Sequence, residues 1–249
     1  MKRVFPLIIL ILLTAGCFEE QRNYDSNIKG AWIGIFLPDS GGSIGAQLFV
    51  SPDNRCYLVI SDPTVYTSER LGGYGEFKIK DGYLTASIKI YDKNGKPVGE
   101  MSIINGRIET TNGEREFVSK YNSDVEYLGN GEISLSISDS YKMYSSLEKI
   151  SGTWEFYTKG VETTISISKD DGSINGLDTT GCVFNGSISR IDSKYNLYDI
   201  NSYTISNCSE DKNGIYRGLA SLMDENHLLV ILVKTDESYG FIMHLGRQQ

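Results

Sequence analysis

Apolar and polar residues alternate with a period of two along much of this chain. The alternation is clearest in Thr164-Ile165-Ser166-Ile167-Ser168 and in Ile133-Ser134-Leu135-Ser136-Ile137-Ser138, and period two is typical of strands with one buried face. The chain also contains sixteen Tyr and twenty-six Gly, a composition that favours strands joined by tight turns. The pattern predicts an all-β protein.

A repeated Gly-x-Trp motif predicts two domains of similar size. It occurs as Gly30-Ala31-Trp32 and again as Gly152-Thr153-Trp154, and each copy opens a strand and a unit of about a hundred residues. We place a first β-barrel domain at 30–138 and a second at 151–249. We expect Trp32 and Trp154 to be structural residues.

Turn-forming residues divide the second unit into eight strands, as expected for a small antiparallel up-and-down barrel. The predicted strands are 152–158, 163–169, 172–179, 181–190, 197–207, 214–223, 227–235 and 238–246. The first unit is less regular, and we predict a barrel with strands near 31–37, 43–51, 54–61, 72–80, 82–91, 97–104, 106–111, 115–120 and 131–138.

The segment 139–150 between the two units is predicted to be a short helix. Met143, Leu147 and Ile150 recur at helical spacing, and Ser145 with Glu148 fits a capping box. Residues 228–233 of the second unit are apolar on both faces of their strand, so one face is expected to contact the first domain or this helix.

The first sixteen residues have the parts of a secretory signal peptide. Lys2 and Arg3 precede an apolar run, and small residues precede Cys17. The end of the segment, Leu13-Thr14-Ala15-Gly16-Cys17, resembles a lipobox, with Thr14 where Leu is commonest. The resemblance implies removal of 1–16 and attachment of a lipid to Cys17.

This anchor predicts the location of the protein. Segment 17–29 lacks periodicity and is interpreted as a tether to the membrane. Because Phe18 follows the cysteine, and the inner-membrane retention signal has Asp there, we expect a lipid-anchored protein of the outer membrane, on its periplasmic or its surface face.

The Gly-x-Trp motif at the start of the first strand resembles lipocalins and avidins. The whole arrangement is similar to a group of proteobacterial lipoproteins without an assigned activity, in which a second domain carries a Gly-Cys strand like Gly181-Cys182. In lipocalins an Arg near the end of the last strand covers the Trp. The resemblance therefore implies a contact between Arg247 and Trp154, with Arg217 as the competing candidate.

The cysteines predict one disulfide. With Cys17 lipidated, Cys56, Cys182 and Cys208 remain. Position 195 is midway between Cys182 and Cys208, and it is also the middle of the loop between two predicted strands. The two cysteines would therefore face one another across the hairpin. The apolar residues of the two strands have conflicting parity, which a bulge near Ser206 or Asn207 would resolve. Cys56 is expected to be a buried small residue, with a reactive or partner-linked thiol as the alternative.

Charge and motifs exclude several function classes. Net charge is -8 and neither half is basic, which disfavours nucleic-acid binding. The two histidines, His227 and His244, lack neighbours at metal-ligand spacing, and no nucleophile and base can be paired. We expect no metal, no cofactor and no enzymatic activity.

The remaining hypothesis is a binding protein. Tyrosine-rich rims suit contacts with a protein partner, and the candidates are Tyr195, Tyr198, Tyr203 and Tyr216. The alternative is that these tyrosines simply pack on the pleated surface of the sheet. Eight-stranded barrels also hold small ligands, so a ligand-binding barrel is the alternative. A structural envelope lipoprotein without a specific ligand is the third hypothesis.

Overall fold

The structure is a computed structural model that describes residues 27–61, 70–158 and 160–248. The predicted signal peptide, Cys17 and most of the predicted tether lie outside these residues. The described chain forms two closed, antiparallel barrels of eight strands each, as the alternating pattern predicted.

Barrel 1 is an up-and-down barrel in which β1 also pairs with β8. Its strands are β1 (Gly30–Pro38), β2 (Ile44–Val50), β3 (Arg55–Ser61), β4 (Arg70–Lys80), β5 (Tyr83–Tyr91), β6 (Pro97–Thr111), β7 (Glu114–Ser123) and β8 (Asn130–Ile137). The two strands predicted at 97–104 and 106–111 are one strand, β6. A register shift between Ile104 and Arg107 bends it, and Asn105 there has a φ of 55°, so the irregular sequence marks a bulge and not a turn.

Barrel 2 has the same topology, and β9 pairs with both β10 and β16. Its strands are β9 (Gly152–Thr158), β10 (Val161–Ile167), β11 (Ser173–Asp178), β12 (Val183–Arg190), β13 (Tyr198–Ser206), β14 (Gly214–Asp224), β15 (His227–Lys234) and β16 (Gly240–Arg247). The eight strands correspond to those expected because each break carries Gly, Asn or Asp, which tolerate tight turns.

The predicted helix 139–150 is wrong in its extent. The segment contains a 3-10 turn at Asp139–Lys142 and a one-turn helix, α1 (Leu147–Ile150). The cap is Ser146, not Ser145: the Ser146 hydroxyl accepts a hydrogen bond from the Lys149 backbone N–H. Ser145 is buried and donates to the Asp192 carbonyl, so contacts with barrel 2 replace a continuous helix.

The two barrels lie side by side and share a third apolar cluster, the interbarrel core. Leu229, Ile231 and Val233 of β15 face barrel 1, whereas Leu228, Val230 and Leu232 face the interior of barrel 2. The expectation that this strand is buried on both faces is confirmed. The interbarrel core consists of Ala31, Phe49, Tyr57, Val59, Tyr74 and Tyr91 of barrel 1 with Leu197, Leu219, Leu229, Ile231 and Val233 of barrel 2.

Polar contacts at both ends of the interbarrel core join the two barrels, so that the ends at which β1 and β9 begin lie on the same side. Near the starts of β1 and β9, Arg55 lies 3.4 Å from Asp199. At the opposite end, Lys96 pairs with Asp211 and the Tyr91 hydroxyl donates to the Glu237 carbonyl. We call the end at which β1 and β9 begin the linker end, because segment 138–151 joins the barrels there.

Candidate interaction surface

The interior of barrel 1 is filled by aromatic side chains. Phe117 makes edge contacts with Trp32 and Phe77, with ring centres 6.3 and 5.7 Å apart, and Phe36 lies 5.1 Å from Tyr121. Cys56 is buried in the same cluster with a free thiol, as expected, and burial raises the pKa of that thiol. These large rings occupy the space in which a ligand-binding barrel of this size would hold its ligand.

Barrel 2 contains a small apolar cavity of about 10 Å³. Its walls are aliphatic apart from Tyr203, whose hydroxyl has no hydrogen-bond partner among the described residues. Burial raises the pKa of this phenol. Such a volume is about that of one water molecule, so the cavity is too small for an organic ligand.

Three of the four tyrosines expected at a binding rim lie inside barrel 2. Tyr198, Tyr203 and Tyr216 are buried and belong to its core. The Tyr216 hydroxyl donates to the Lys212 carbonyl. Only Tyr195 of this set is on the surface, and its ring stacks on Tyr141 with centres 4.7 Å apart. The rim prediction is wrong because alternation places these rings on the inner faces of β13 and β14.

Matching contacts close both barrels at the linker end. The indole N–H of Trp32 donates to the Ile28 carbonyl, and that of Trp154 donates to the Ile150 carbonyl. Both isoleucines are buried in their barrels. The glycines of the motif have φ values of 132° at Gly30 and 111° at Gly152, a region that favours glycine. The repeat is therefore Ile-x-Gly-x-Trp, which is visible in the sequence but extends beyond the Gly-x-Trp first recognised.

An arginine covers each tryptophan. Arg247 lies 4.2 Å from the centre of the Trp154 ring, so the contact implied by the lipocalin resemblance is present, and Arg217 instead lies over Tyr74 of barrel 1. In barrel 1 the covering residue is Arg115, at 5.3 Å from the Trp32 ring. Sequence reasoning missed Arg115 because it is on β7 and not on the last strand.

Cys182 and Cys208 form the expected disulfide, with their Cα atoms 4.8 Å apart. The strands pair Val183 with Ser206, so in simple register Cys182 would face Asn207. Asn207 has a φ of 59°, and this left-handed residue brings Cys208 opposite Cys182. The predicted irregularity near Ser206 or Asn207 is thus present.

The outward face of β1 carries an unusual apolar stripe. Ile33, Ile35 and Leu37 alternate with less exposed residues and are 46%, 38% and 39% exposed. The outward residues of β9 in barrel 2 that correspond to Ile33 and Ile35 are Glu155 and Tyr157. Neighbouring exposed aliphatic residues are uncommon on a barrel wall that faces water, and such residues mark interaction sites.

A concave surface, the outer-wall groove, begins at this apolar stripe. It has a volume of about 570 Å³ and runs across β8, β7 and β6. The bulge in β6 at Asn105 bends the wall there. Its lining includes Leu37, Tyr83, Asn105, Arg107, Val118, Lys120, Glu132 and Ser134.

The charges of the groove largely neutralise one another. Arg107 donates to Glu109 at 2.6 Å, and Lys120 stands opposite Glu132 in the register of β7 and β8. A binding partner would therefore meet the exposed aliphatic residues of β1 together with paired charges in the adjoining groove, a combination of apolar and polar surface that protein interfaces contain.

The described residues contain no group of three or more His, Cys, Asp or Glu side chains arranged to hold a metal ion. Within the same ranges, no helix is both long and apolar enough to cross a bilayer.

No known family model matches this chain, and no curated protein shows significant similarity to it.

Proposed function

We propose that this protein is a lipid-anchored interaction protein of the bacterial outer membrane, which binds a protein partner through the outer wall of barrel 1. The observation that carries the proposal is the exposed stripe Ile33, Ile35 and Leu37 beside the outer-wall groove. An apolar patch bordered by paired charges is the usual composition of a protein-binding surface.

The barrel interiors favour a protein partner over a small ligand. Barrel 1 is filled by aromatic rings, and barrel 2 retains a cavity of about 10 Å³. Drug-sized ligands occupy pockets of roughly 300–1,000 Å³. The outer-wall groove falls in that range, but it lies on the outside of the barrel and is partly open to solvent.

The proposed anchor would determine where this surface lies relative to the membrane. A lipid on Cys17 and a tether to residue 29 would attach the molecule at the linker end of barrel 1, where β1 begins. The apolar stripe runs up the side of the barrel from that end. A partner in the same membrane or in the adjacent periplasm or medium would reach it without displacing the anchor.

A position-specific crosslinking experiment tests the function. A photoreactive amino acid replaces Ile35 in one variant and Asn185, an exposed residue on the wall of barrel 2, in the control. We expect the Ile35 probe to give one discrete adduct in intact cells, which Leu37→Glu abolishes and which the Asn185 probe does not give. The absence of a discrete adduct from Ile35, or the same adducts from both positions, would favour the structural-lipoprotein alternative.

A further inference from the structure

The chain enters barrel 1 at the linker end. Asn27 is the first residue that the structure describes, and Arg115 of β7 donates a hydrogen bond to its carbonyl. Ile28 follows and is buried in the core of barrel 1. These contacts fix the point at which the predicted tether leaves the barrel.

The length of the predicted tether limits how far this point can lie from the membrane. Ten residues, from Cys17 to Ser26, precede Asn27. A chain spans at most about 3.3–3.6 Å per residue, so a lipid on Cys17 would keep Asn27 within about 35 Å of the bilayer. The nine residues of β1 place the opposite end of the barrel up to about 30 Å further away. The linker end is therefore the end that faces the membrane.

Apolar side chains are exposed on the linker at this end. Met143 and Tyr144 are 38% and 65% exposed. The segment that carries them is attached to barrel 2, because the N–H of Ser145 donates to the Ser193 carbonyl at 3.0 Å. Tyr195, in the same turn between β12 and β13, is 40% exposed. We call Met143, Tyr144 and Tyr195 the linker patch.

The chemistry of the linker patch suits the boundary between lipid and water. The ammonium of Lys149 lies 3.3 Å from the centre of the Tyr144 ring and donates to the Tyr144 carbonyl at 3.1 Å. Tyrosine rings are enriched at the level of lipid head groups, and lysine keeps its charge in water while its methylenes lie on apolar surface. In segment 139–149, two lysines balance Asp139 and Glu148, so the local charge neither attracts nor repels an anionic surface.

The β4–β5 hairpin provides a second exposed apolar residue at the linker end. The Phe77 N–H donates to the carbonyl of Asn54, in the turn between β2 and β3, and β4 continues beyond this level to Lys80. Ile79 has the inward parity of Phe77, which is buried, yet Ile79 is 60% exposed. Its side chain therefore lies past the rim of barrel 1, at the end of the molecule rather than in the core.

Exposure alone does not distinguish this end of the molecule. Tyr127, between β7 and β8, and Leu177, near the end of β11, are 49% and 56% exposed at the opposite end. What distinguishes the linker patch is its position beside the point where the predicted tether leaves barrel 1. Tyr127 and Leu177 are therefore matched controls, because they have similar exposure but lie far from that point.

We propose that the linker patch and Ile79 form a membrane-contact surface, which holds the linker end of the molecule against a lipid bilayer. The inference rests on the lipid anchor of the proposed function. Because few side chains take part, the surface orients the anchored molecule and does not replace the anchor. The stripe on β1 would then rise from the membrane along the side of barrel 1, where a protein partner can reach it.

The first test measures the depth of one residue in the membrane. The full lipidated protein, with diacylglycerol on Cys17 verified by mass spectrometry, is inserted into phosphatidylcholine vesicles that contain some nitroxide-labelled lipid. A fluorophore is attached to Tyr144→Cys or, as the control, to Tyr127→Cys. Cys56 is buried and the other two cysteines are bridged, so only the new thiol is labelled. We expect quenching at least about twofold stronger for the Tyr144 probe, as for groups that enter the head-group region by about 5–10 Å.

The second test removes the linker patch and reads the contact from the other barrel. The fluorophore is attached to Ile79→Cys, and the background is either Met143→Ser/Tyr144→Ser or the control Leu177→Ser. We expect lipid quenching of the Ile79 probe to decrease in the double variant and to stay unchanged in the control. All replaced side chains are exposed, and thermal unfolding verifies that each variant is folded.

Other outcomes overturn the proposal. Equal quenching of the Tyr144 and Tyr127 probes would show that the linker end does not rest on lipid. Quenching that requires anionic lipid and disappears in salt would assign the contact to charge rather than to the linker patch. Stronger quenching of a probe at Ile35→Cys would place the β1 stripe on the bilayer, against both proposals. A Tyr144 probe without quenching, with the Ile35 crosslink retained in cells, would refute this inference alone, and an unlipidated Cys17 would refute it together with the anchor.

Discussion

The guanidinium of Arg247 lies 4.2 Å from the centre of the Trp154 ring, directly opposite it in the register of β16 and β9. The same guanidinium donates to the carbonyl of Ser151 at 2.7 Å and to that of Lys149. Arg247 therefore joins the last strand of barrel 2 to the first strand and to the end of the linker.

Arg247→Ala is expected to lower the free energy of unfolding. The stacking contact contributes about 0.5–2 kcal/mol depending on burial, and two partly buried carbonyls lose their donor. Arg190→Ala, at an exposed position of β12, is the control and should change stability little. Thermal or urea unfolding monitored by Trp fluorescence measures both, and an equal effect of the two variants would contradict the assigned role.

The double variant Cys182→Ser/Cys208→Ser should destabilise barrel 2 by roughly 3–4 kcal/mol on the chain-entropy account, because the bridge closes a separation of 26 residues. Non-reducing peptide mapping should show these cysteines linked and Cys56 alkylated only after denaturation. A bridge from Cys56 to either cysteine would be incompatible with the fold.

Ile231→Asp should uncouple the two barrels. Ile231 is buried in the interbarrel core, and an unpaired carboxylate there is costly. Each barrel has its own interior cluster, so we expect two calorimetric transitions where the parent shows one. Ile231→Val is the control and should keep a single transition. A single transition in the Asp variant would show that the barrels do not fold separately.

The contact between Lys96 and Asp211 should be detectable in the acid range as a lowered pKa of the Asp211 carboxyl group. The hydrogen bond from Lys96 lowers the pKa of Asp211 from its ordinary 3.8 to about 2. A depressed pKa in the folded state stabilises the fold above the ordinary value, and that contribution is lost as the pH falls toward 2. In an NMR titration, the pKa of Asp211 should rise toward 3.8 in Lys96→Ala but should stay low in the control Lys80→Ala.

Cys17→Ser should release the protein from the membrane. Acyl chains contribute about 0.8 kcal/mol per buried methylene, and their loss leaves no proposed anchor. Mass spectrometry of the mature N-terminus should find diacylglycerol on Cys17 in the parent, with membrane fractionation as the second readout. An unmodified terminus at another residue would refute the lipobox prediction.

Much of the fold could be predicted because local signals and tertiary packing agree. Period-two alternation assigned the strands, and Gly, Asn and Asp at the breaks assigned the hairpins of barrel 2. Strand 228–233 is apolar on both faces. This pattern predicted that its outer face is covered, because a barrel wall that faces water would be polar on that side. The Cys182–Cys208 pair could be predicted because the two cysteines are equally distant from the middle of the loop, and the loop sets the register of a hairpin.

The candidate interaction surface could not be predicted in this way. Alternation assigns residues to two faces, but it does not say which face is the interior, and Tyr198, Tyr203 and Tyr216 were assigned to the wrong one. Ile33, Ile35 and Leu37 look in sequence like ordinary residues of a buried strand. Their exposure emerges only when barrel 2 is seen to cover residues of β2 to β5 and, on β1, Ala31 but not the stripe beyond it.

The sequence by itself determined the strand order, the two-barrel organisation and the disulfide, because these depend on local periodicity, turn chemistry and hairpin register. The tertiary structure alone decided the filled interiors and the outer-wall groove. Both depend on side-chain volumes and on packing between strands far apart in the chain, such as β1 against β8, and such packing has no signature within a single segment.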